Sequence, residues 1–175
     1  QIECVYTQPP VASHRGQKIN KSPVHLISET LNLPVRTPAS LNNEEEKNFL
    51  KNLNLALCVT IAYGQILKKD FLNIPKYGWV NVHYSLLPKF RGASPVQRAI
   101  MEGETTTGIS IMQMNEGIDT GSICNQYSIN ILDNENSEEL ASRLSTLASE
   151  KILENIDDIF KRKAIFKEQD HSKAT

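Results

Sequence analysis

The chain reads as an α/β protein: a mostly parallel sheet with helices on both faces. Three observations predict this class. Short apolar runs alternate with segments of helical periodicity along the whole chain. Residues 55–61 (LALCVTI) are almost continuously apolar, as in a strand covered on both faces. Polar, glycine-bearing loops follow three strand candidates, at 62–67, 84–92 and 115–121, and open α/β sheets bind ligands beyond such strand ends.

The elements follow in order. Residues 2–7 (IECVYT) form the first strand candidate. The basic stretch from 8 to 21 is rich in turn formers and reads as a loop. A helix is predicted over 23–32, with Ser22 as N-cap and Pro23 at its first position, where a missing N–H costs nothing. Residues 35–37 are extended. Residues 43–53 form a charged helix whose apolar stripe is Phe49, Leu50 and Leu53. After the strand at 55–61, a short helix over 68–72 leads to the strand ending in Asn81, Val82 and His83. Ser94 caps a helix running to residue 101, again with Pro95 first. Strands are predicted over 107–114 and 122–131. A long amphipathic helix over 137–161 buries Leu140, Leu144, Leu147, Ile152, Ile156 and Phe160. The polar end, 167–175 (KEQDHSKAT), reads as a linker or frayed terminus.

A length of 175 residues suits one domain with a proper core. With 39% hydrophobic and 22% charged residues the chain is not a disordered one. A net charge of −1 argues against coating nucleic acid by bulk electrostatics, though local basic patches remain open. No apolar run is long enough to span a bilayer. Cys4, Cys58 and Cys124 lie far apart in or beside apolar runs, which favours small buried hydrophobes in a reducing compartment. The histidines are scattered too, so a dedicated metal site is unsupported. The chain starts at Gln1 with no signal-peptide pattern and reads as cut at its start.

Asn81 and His83 stand one residue apart at a strand end, so their side chains share a face. Imidazole exchanges a proton near neutral pH, and an amide N–H donates without changing charge. Together they suit a reaction in which negative charge grows on a carbonyl oxygen, or simply the hydrogen bonding of a loop. Asp119, between Gly117 and Gly121, is a carboxylate that could orient His83, but spacing alone does not bring residue 119 next to residue 83. On pattern alone Tyr63-Gly64 is an ordinary turn, Leu86 and Leu87 anchor a loop, and the cations from 8 to 21 are solvated. Pro88 fixes its own backbone and restricts Leu87, so that loop is pre-set.

The segment from 81 to 121, NVHYSLLPKFRGASPVQRAIMEGETTTGISIMQMNEGIDTG, resembles the core signature of the folate-dependent formyltransferases. Its RGASPVQRAI, ISIMQM and EGIDTG stretches resemble the branch acting on methionyl-tRNA. TQPP at 7–10, RGQK at 15–18, SPV at 22–24 and IAYGQIL at 61–67 extend the likeness over about the whole chain. The resemblance implies a Rossmann-like formyltransferase fold lacking its first strand and helix. Residues 1–168 would be the catalytic domain, and 169–175 the start of a linker to a C-terminal tRNA-binding domain. Such a fragment is expected to be poorly stable or inactive alone. The implied reaction moves the formyl group of 10-formyltetrahydrofolate to the amine of methionyl initiator tRNA.

By the same resemblance Asn81 and His83 stabilise the oxyanion and Asp119 holds His83 and manages protons. Ala62, Tyr63, Gly64, Gln65, Ile66, Ser85, Leu86, Leu87, Pro88, Gly117 and Ile118 would line the folate pocket. Arg15, Lys18, Lys21 and Arg91 would meet tRNA, although residues 10–14 (PVASH) depart from the family's more basic, glycine-containing pattern. The resemblance further implies a monomer when full length, no metal, no membrane, and the cytoplasm or, in a eukaryote, an organelle matrix. Two competing functions share Asn81, His83 and Asp119: formyl transfer to glycinamide ribonucleotide or an amino sugar nucleotide, and hydrolysis of the folate. SPVQRAI and IMQM speak against the transfer alternatives. A non-catalytic folate- or RNA-binding remnant is the reading from another class.

Overall fold

The computed structural model describes residues 1–13 and 18–175. The chain divides into two compact units, Gln1–Asn54 with Tyr63–Leu67, and Leu55–Ala62 with Lys68–Thr175.

The first unit holds β1 (Val5–Tyr6), β2 (Val11–Ser13), β3 (Lys18–Asn20), α1 (Pro23–Thr30), β4 (Val35–Arg36) and α2 (Glu44–Asn52). β1 and β4 pair in parallel. The stretch read as a loop from 8 to 21 contains the antiparallel pair β2–β3. Ser22 caps α1 as predicted, accepting from the His25 N–H at 3.1 Å, with proline in the first turn. Asn43 caps α2 through the Glu46 N–H at 2.9 Å. Glu46, buried, accepts from Arg36 through both oxygens at 2.7 Å and from the Tyr6 hydroxyl at 2.6 Å, which ties α2 to both strands.

The second unit holds β5 (Cys58–Thr60), α3 (Lys69–Leu72), β6 (Trp79–His83), α4 (Pro95–Met101), β7 (Thr106–Gln113), β8 (Ile123–Asn130) and α5 (Ser137–Phe160). Its sheet runs β5-β6-β7-β8. β5 and β6 are parallel, whereas β6–β7 and β7–β8 are antiparallel. The α/β class therefore holds, but the sheet is mixed and its longest ladders are antiparallel. The 55–61 run was expected to be covered on both faces. Only three of its residues form a strand, it stands at the sheet edge, and Val59 and Ile61 are 38% and 44% exposed.

α5 opens with a reciprocal cap: Asn136 accepts from the Glu139 N–H at 3.0 Å while Glu139 accepts from the Asn136 N–H at 2.9 Å. Its Leu140, Leu144, Ala148, Ile152 and Ile159 form one core with Val80, Val82, Ile109 and Ile111. The predicted stripe is right at its start and drifts at its end, where Asn155 and Ile159 are buried and Phe160 is 44% exposed. Ser94 precedes α4 but sits in the left-handed region and makes no side-chain cap bond. The polar end does not fray: Lys167 bridges Ile123, Gln169 is buried, and the Arg91 N–H donates to the Thr175 carbonyl at 3.1 Å.

Candidate active site

Strand alternation decides which face of β6 is free for chemistry. Val80 and Val82 face α5, and so do Ile109 and Ile111 of the neighbouring β7. Asn81 and His83 therefore point to the opposite face. Thr60 Oγ1 lies 3.1 Å from Asn81 Oδ1 and donates to it, and the acceptor-only carboxylate of Asp119 on the other side fixes which end of that amide is the donor. Asn81 Nδ2 then donates to Asp119 Oδ1 at 3.2 Å.

Asp119 arrives by an indirect route. β7 runs antiparallel to β6, so its loop leaves at the end of β6 away from His83, with the Met114 N–H bonded to the Trp79 carbonyl at 2.8 Å. The loop then folds back over the open face, where Asp119 sits at φ +49°, a conformation Asp tolerates better than most residues. Its Oδ2 accepts from the Gly92 N–H at 2.8 Å and lies 3.5 Å from His83 Nδ1. The loop closes at Gly121, where a Cβ would come within 1.7 Å of the Gln113 carbonyl oxygen, so only glycine fits.

His83 is 6% exposed, and its Nε2 donates to the Phe90 carbonyl at 2.8 Å. A carbonyl only accepts, so the Nε2 proton is fixed and Nδ1 is the ring nitrogen left facing Asp119. The result is a donor amide, an imidazole with one nitrogen toward a carboxylate, and that carboxylate anchored, each held by a second partner. That arrangement serves a step in which an oxygen gains charge while a nitrogen loses a proton.

The loop after His83 is fastened just as closely. Ser110, fully buried, accepts from the Leu87 N–H at 2.9 Å and from Gln126 Nε2 at 2.8 Å, and donates to the Ser85 carbonyl at 2.6 Å. Gln126 also donates to the Leu87 carbonyl at 2.9 Å. Leu86 lies against Gly108, where a Cβ would meet it at 2.7 Å. Ser85 and Leu87 are buried, Leu86 and Pro88 half-buried, and Gly117 and Ile118 exposed on the returning loop.

The remaining sequence-predicted residues fall elsewhere. Ala62 follows β5 in the second unit, while Tyr63, Gly64, Gln65 and Ile66 belong to the first. There the Tyr63 carbonyl accepts from Gln8 at 2.6 Å, the Ile66 carbonyl from Asn42 at 2.6 Å, and Gln65 Oε1 from the Leu41 N–H at 2.7 Å. Lys21 is paired with Glu29 at 2.6 Å. Lys18 lies in β3, and Arg15 lies outside the described residues. Arg91 does not reach out freely: it donates to Gln169 Oε1 at 2.7 and 3.1 Å and to His171 Nδ1 at 3.0 Å.

Sequence reasoning missed Thr60, Gly92, Ser110, Gln126 and Gln169. Only Gly92 carried a signal, as the glycine closing the quoted loop. Burial pushes the Cys58 thiol up to about 12 and raises Cys4 and Cys124 as well, against thiolate chemistry. An open groove of about 850 Å³ lies at the amino end of β6, lined by Lys69, Lys76, Gly78, Gln113 and Arg162; it shares Gly117 with the site but not Asn81, His83 or Asp119. Among the described residues no helix is long and apolar enough to cross a membrane, and no cluster of three or more His, Cys, Asp or Glu could hold a metal.

A family model described as formyl transferase matches residues 1–156, and the chain belongs to that family. Within it, the likeness runs to methionyl-tRNA formyltransferases. That of Pelagibacter ubique is 54% identical over 175 residues, covering 99% of this chain and 56% of the relative. That of Caulobacter vibrioides is 46% identical over 149 residues, covering 85% and 48%. The chain spans about half the length of the curated relatives it matches. Among solved structures, the phosphoribosylglycinamide formyltransferase from Anaplasma phagocytophilum has a TM-score of 0.77 at 23% identity, over 93% of this chain and 76% of that one. An N-formyltransferase from Helicobacter canadensis, in complex with folinic acid and dTDP-3-aminofucose, has a TM-score of 0.72 at 22% identity, over 97% and 57%. These two likenesses concern the fold.

Proposed function

We propose that this chain carries the formyl-transfer centre of a methionyl-tRNA formyltransferase, moving the formyl group of 10-formyltetrahydrofolate to the amine of methionyl initiator tRNA. One observation carries the reading: a single carboxylate, Asp119, meets both Asn81 at 3.2 Å and His83 at 3.5 Å on the open face of the sheet. The amine adds to the formyl carbon, and the formyl oxygen takes up negative charge. The second N–H of Asn81 Nδ2, not used by Asp119, donates to that oxygen. The amine must lose a proton and the departing folate nitrogen must gain one, and the His83–Asp119 pair relays it. The carbon–folate nitrogen bond then breaks as the new amide is complete.

The other assignments follow the same reading. The loops at 84–92 and 115–121 bind the folate, and residues 62–66 are assigned to the folate as well. Lys21 exchanges Glu29 for a tRNA phosphate at small cost, because exposed ion pairs contribute only about 0–1 kcal/mol. Arg15 and Lys18 join it on the same stretch, and Arg91 shapes the site from within. Residues 1–168 are the catalytic domain, and a linker begins at 169 while still bonded to that domain. The full protein works as a monomer in the cytoplasm or an organelle matrix.

The test uses the full-length protein with methionyl initiator tRNA, glycinamide ribonucleotide, an amino sugar nucleotide and no acceptor at all. Formylation of the tRNA, falling about 100-fold or more in Asn81→Ala and His83→Ala, is the expected result. Transfer to another acceptor, formate release alone, or full activity in both variants would overturn it.

A further inference from the structure

Gln169 lies beyond the residues the family model matches, in the polar tail that composition marks as a loose end. The structure uses it otherwise. Its side chain is 6% exposed and every polar bond it can make is directed at the site. Nε2 donates to the Asp119 carbonyl at 2.8 Å and to the Gly121 carbonyl at 2.8 Å. Oε1 accepts two N–H groups of Arg91, at 2.7 and 3.1 Å. One amide thus bridges the two loops whose side chains and backbone surround His83: Arg91 adjoins Phe90, whose carbonyl accepts from His83, and Gly92, whose N–H donates to Asp119.

The Asp119 peptide is the one that needs holding. Its φ of +49° is a sparsely populated conformation, and it sets where the carboxylate points. Two N–H donors of one amide, on the carbonyls at 119 and 121, hold the backbone on both sides of Thr120.

We propose that Gln169 is a positioning residue for formyl transfer, holding the Asp119 loop and Arg91 so that the Asp119 carboxylate keeps its distance from the His83 ring. The proposal rests on the reading of Asp119 and His83 as the proton-handling pair. It predicts a defect in the rate of the chemical step with little change in substrate affinity, since the geometry of the reacting groups is altered and their identity is not.

The experiment compares Gln169→Glu, Gln169→Ala and the exposed-site control Lys173→Ala in the full-length protein. Gln169→Glu keeps the volume and the acceptor for Arg91 but removes both donors to the loop. Both Gln169 variants should lose kcat by about tenfold or more, with KM for folate and acceptor within about threefold of the parent. The midpoint of the kcat–pH profile should also move, and the ring-nitrogen NMR signals of His83 should shift in Gln169→Ala, which adds no charge near the ring, whether or not turnover is measured. Lys173→Ala should match the parent. Unchanged kcat, or a kcat that falls only in step with thermal stability while the pH profile and His83 signals stay put, would overturn the role of Gln169. If Asp119→Ala retains full activity, the reading of the pair fails instead. Shifted His83 signals in Gln169→Ala would then still support the positional claim, and unshifted ones would sink it.

Discussion

The backbone N–H of Gly92 donates to the carboxylate of Asp119 at 2.8 Å, so the loop that follows His83 and the loop that carries Asp119 are joined at the Asp119 side chain itself. This bond has a consequence for what a conservative change does. It holds Oδ2 beside His83 whether or not the side chain is charged, provided an oxygen remains there.

Asp119→Asn is accordingly expected to leave the fold intact. Asparagine tolerates a positive φ as aspartate does, and it offers its one oxygen to Gly92, which turns its Nδ2 toward Asn81 and removes the acceptor that holds the Asn81 amide. It carries no charge to share a proton with His83. Formyl transfer should fall about 100-fold or more in kcat with the thermal midpoint within a few degrees of the parent. Side-by-side kinetics and melting curves decide it; a variant with parental kcat would remove Asp119 from proton handling.

Thr60 acts one step further back. Its hydroxyl supports the orientation of Asn81 that Asp119 selects, with the oxygen toward β5 and the nitrogen toward Asp119. Thr60→Val keeps the shape and removes that donor, leaving the Asn81 oxygen unpaired beside β5 and the amide held from the Asp119 side alone. Thr60→Ser keeps the donor. The expected result is a loss of about tenfold in kcat for valine and little loss for serine. Equal losses in the two would mean that packing at β5 is what matters.

The reach of sequence reasoning follows from the same residues. Period-two alternation places Asn81 and His83 on one face, and that needs no partner strand. The start of α5 is legible because Asn136, Glu139, Leu140 and Leu144 are all local signals. Its end is not, since burial of Asn155 depends on Tyr127, whose hydroxyl accepts from it at 3.0 Å, and on Asn125, which donates to it at 2.6 Å. Strand direction is likewise non-local. Reading β7 as a parallel neighbour of β6 gives the right meeting of loops for the wrong reason, because Asp119 returns by folding back from the far end. Only the family resemblance joined residue 119 to residue 83. Gln169 left no trace in periodicity, because its role is set by two carbonyls and a guanidinium far away in the chain.

Gly121 should be the least replaceable residue of the returning loop. A methyl group there would stand 1.7 Å from the Gln113 carbonyl oxygen and 2.9 Å from its carbon, both backbone atoms. Relief requires moving the junction of β7 and β8, where Gln113 pairs with Ser122. Gly121→Ala is expected to cost about 2 kcal/mol or more in urea unfolding and to abolish transfer. Gly103→Ala is the contrast: nothing lies within 4 Å of its added carbon, but its φ is +69°. It should cost about 1 kcal/mol and leave kcat unchanged.

Acid sensitivity of the first unit should trace to Glu46. The hydrogen-bonded Arg36 guanidinium holds this carboxyl below its usual range, with help from the Tyr6 hydroxyl and against the effect of burial. The folded chain therefore takes up a proton at Glu46 less readily than the unfolded chain does. Stability from the pair is complete above the ordinary glutamate value of about 4.3 and fades as pH falls through the lower folded value. Glu46→Gln leaves the half-buried Arg36 with only the exposed Glu45 carboxylate, at 3.0 Å, as charge partner, which should cost about 2 kcal/mol at pH 7. Below about 4.3 the unfolded parent takes up that proton while the folded chain resists it, so the gap between the two proteins should narrow by pH 3. Urea midpoints at pH 7, 5 and 3 measure it. A gap that stays constant over that range would assign the loss to packing against Phe49, over whose ring the Arg36 guanidinium lies at 4.2 Å, and not to the charge.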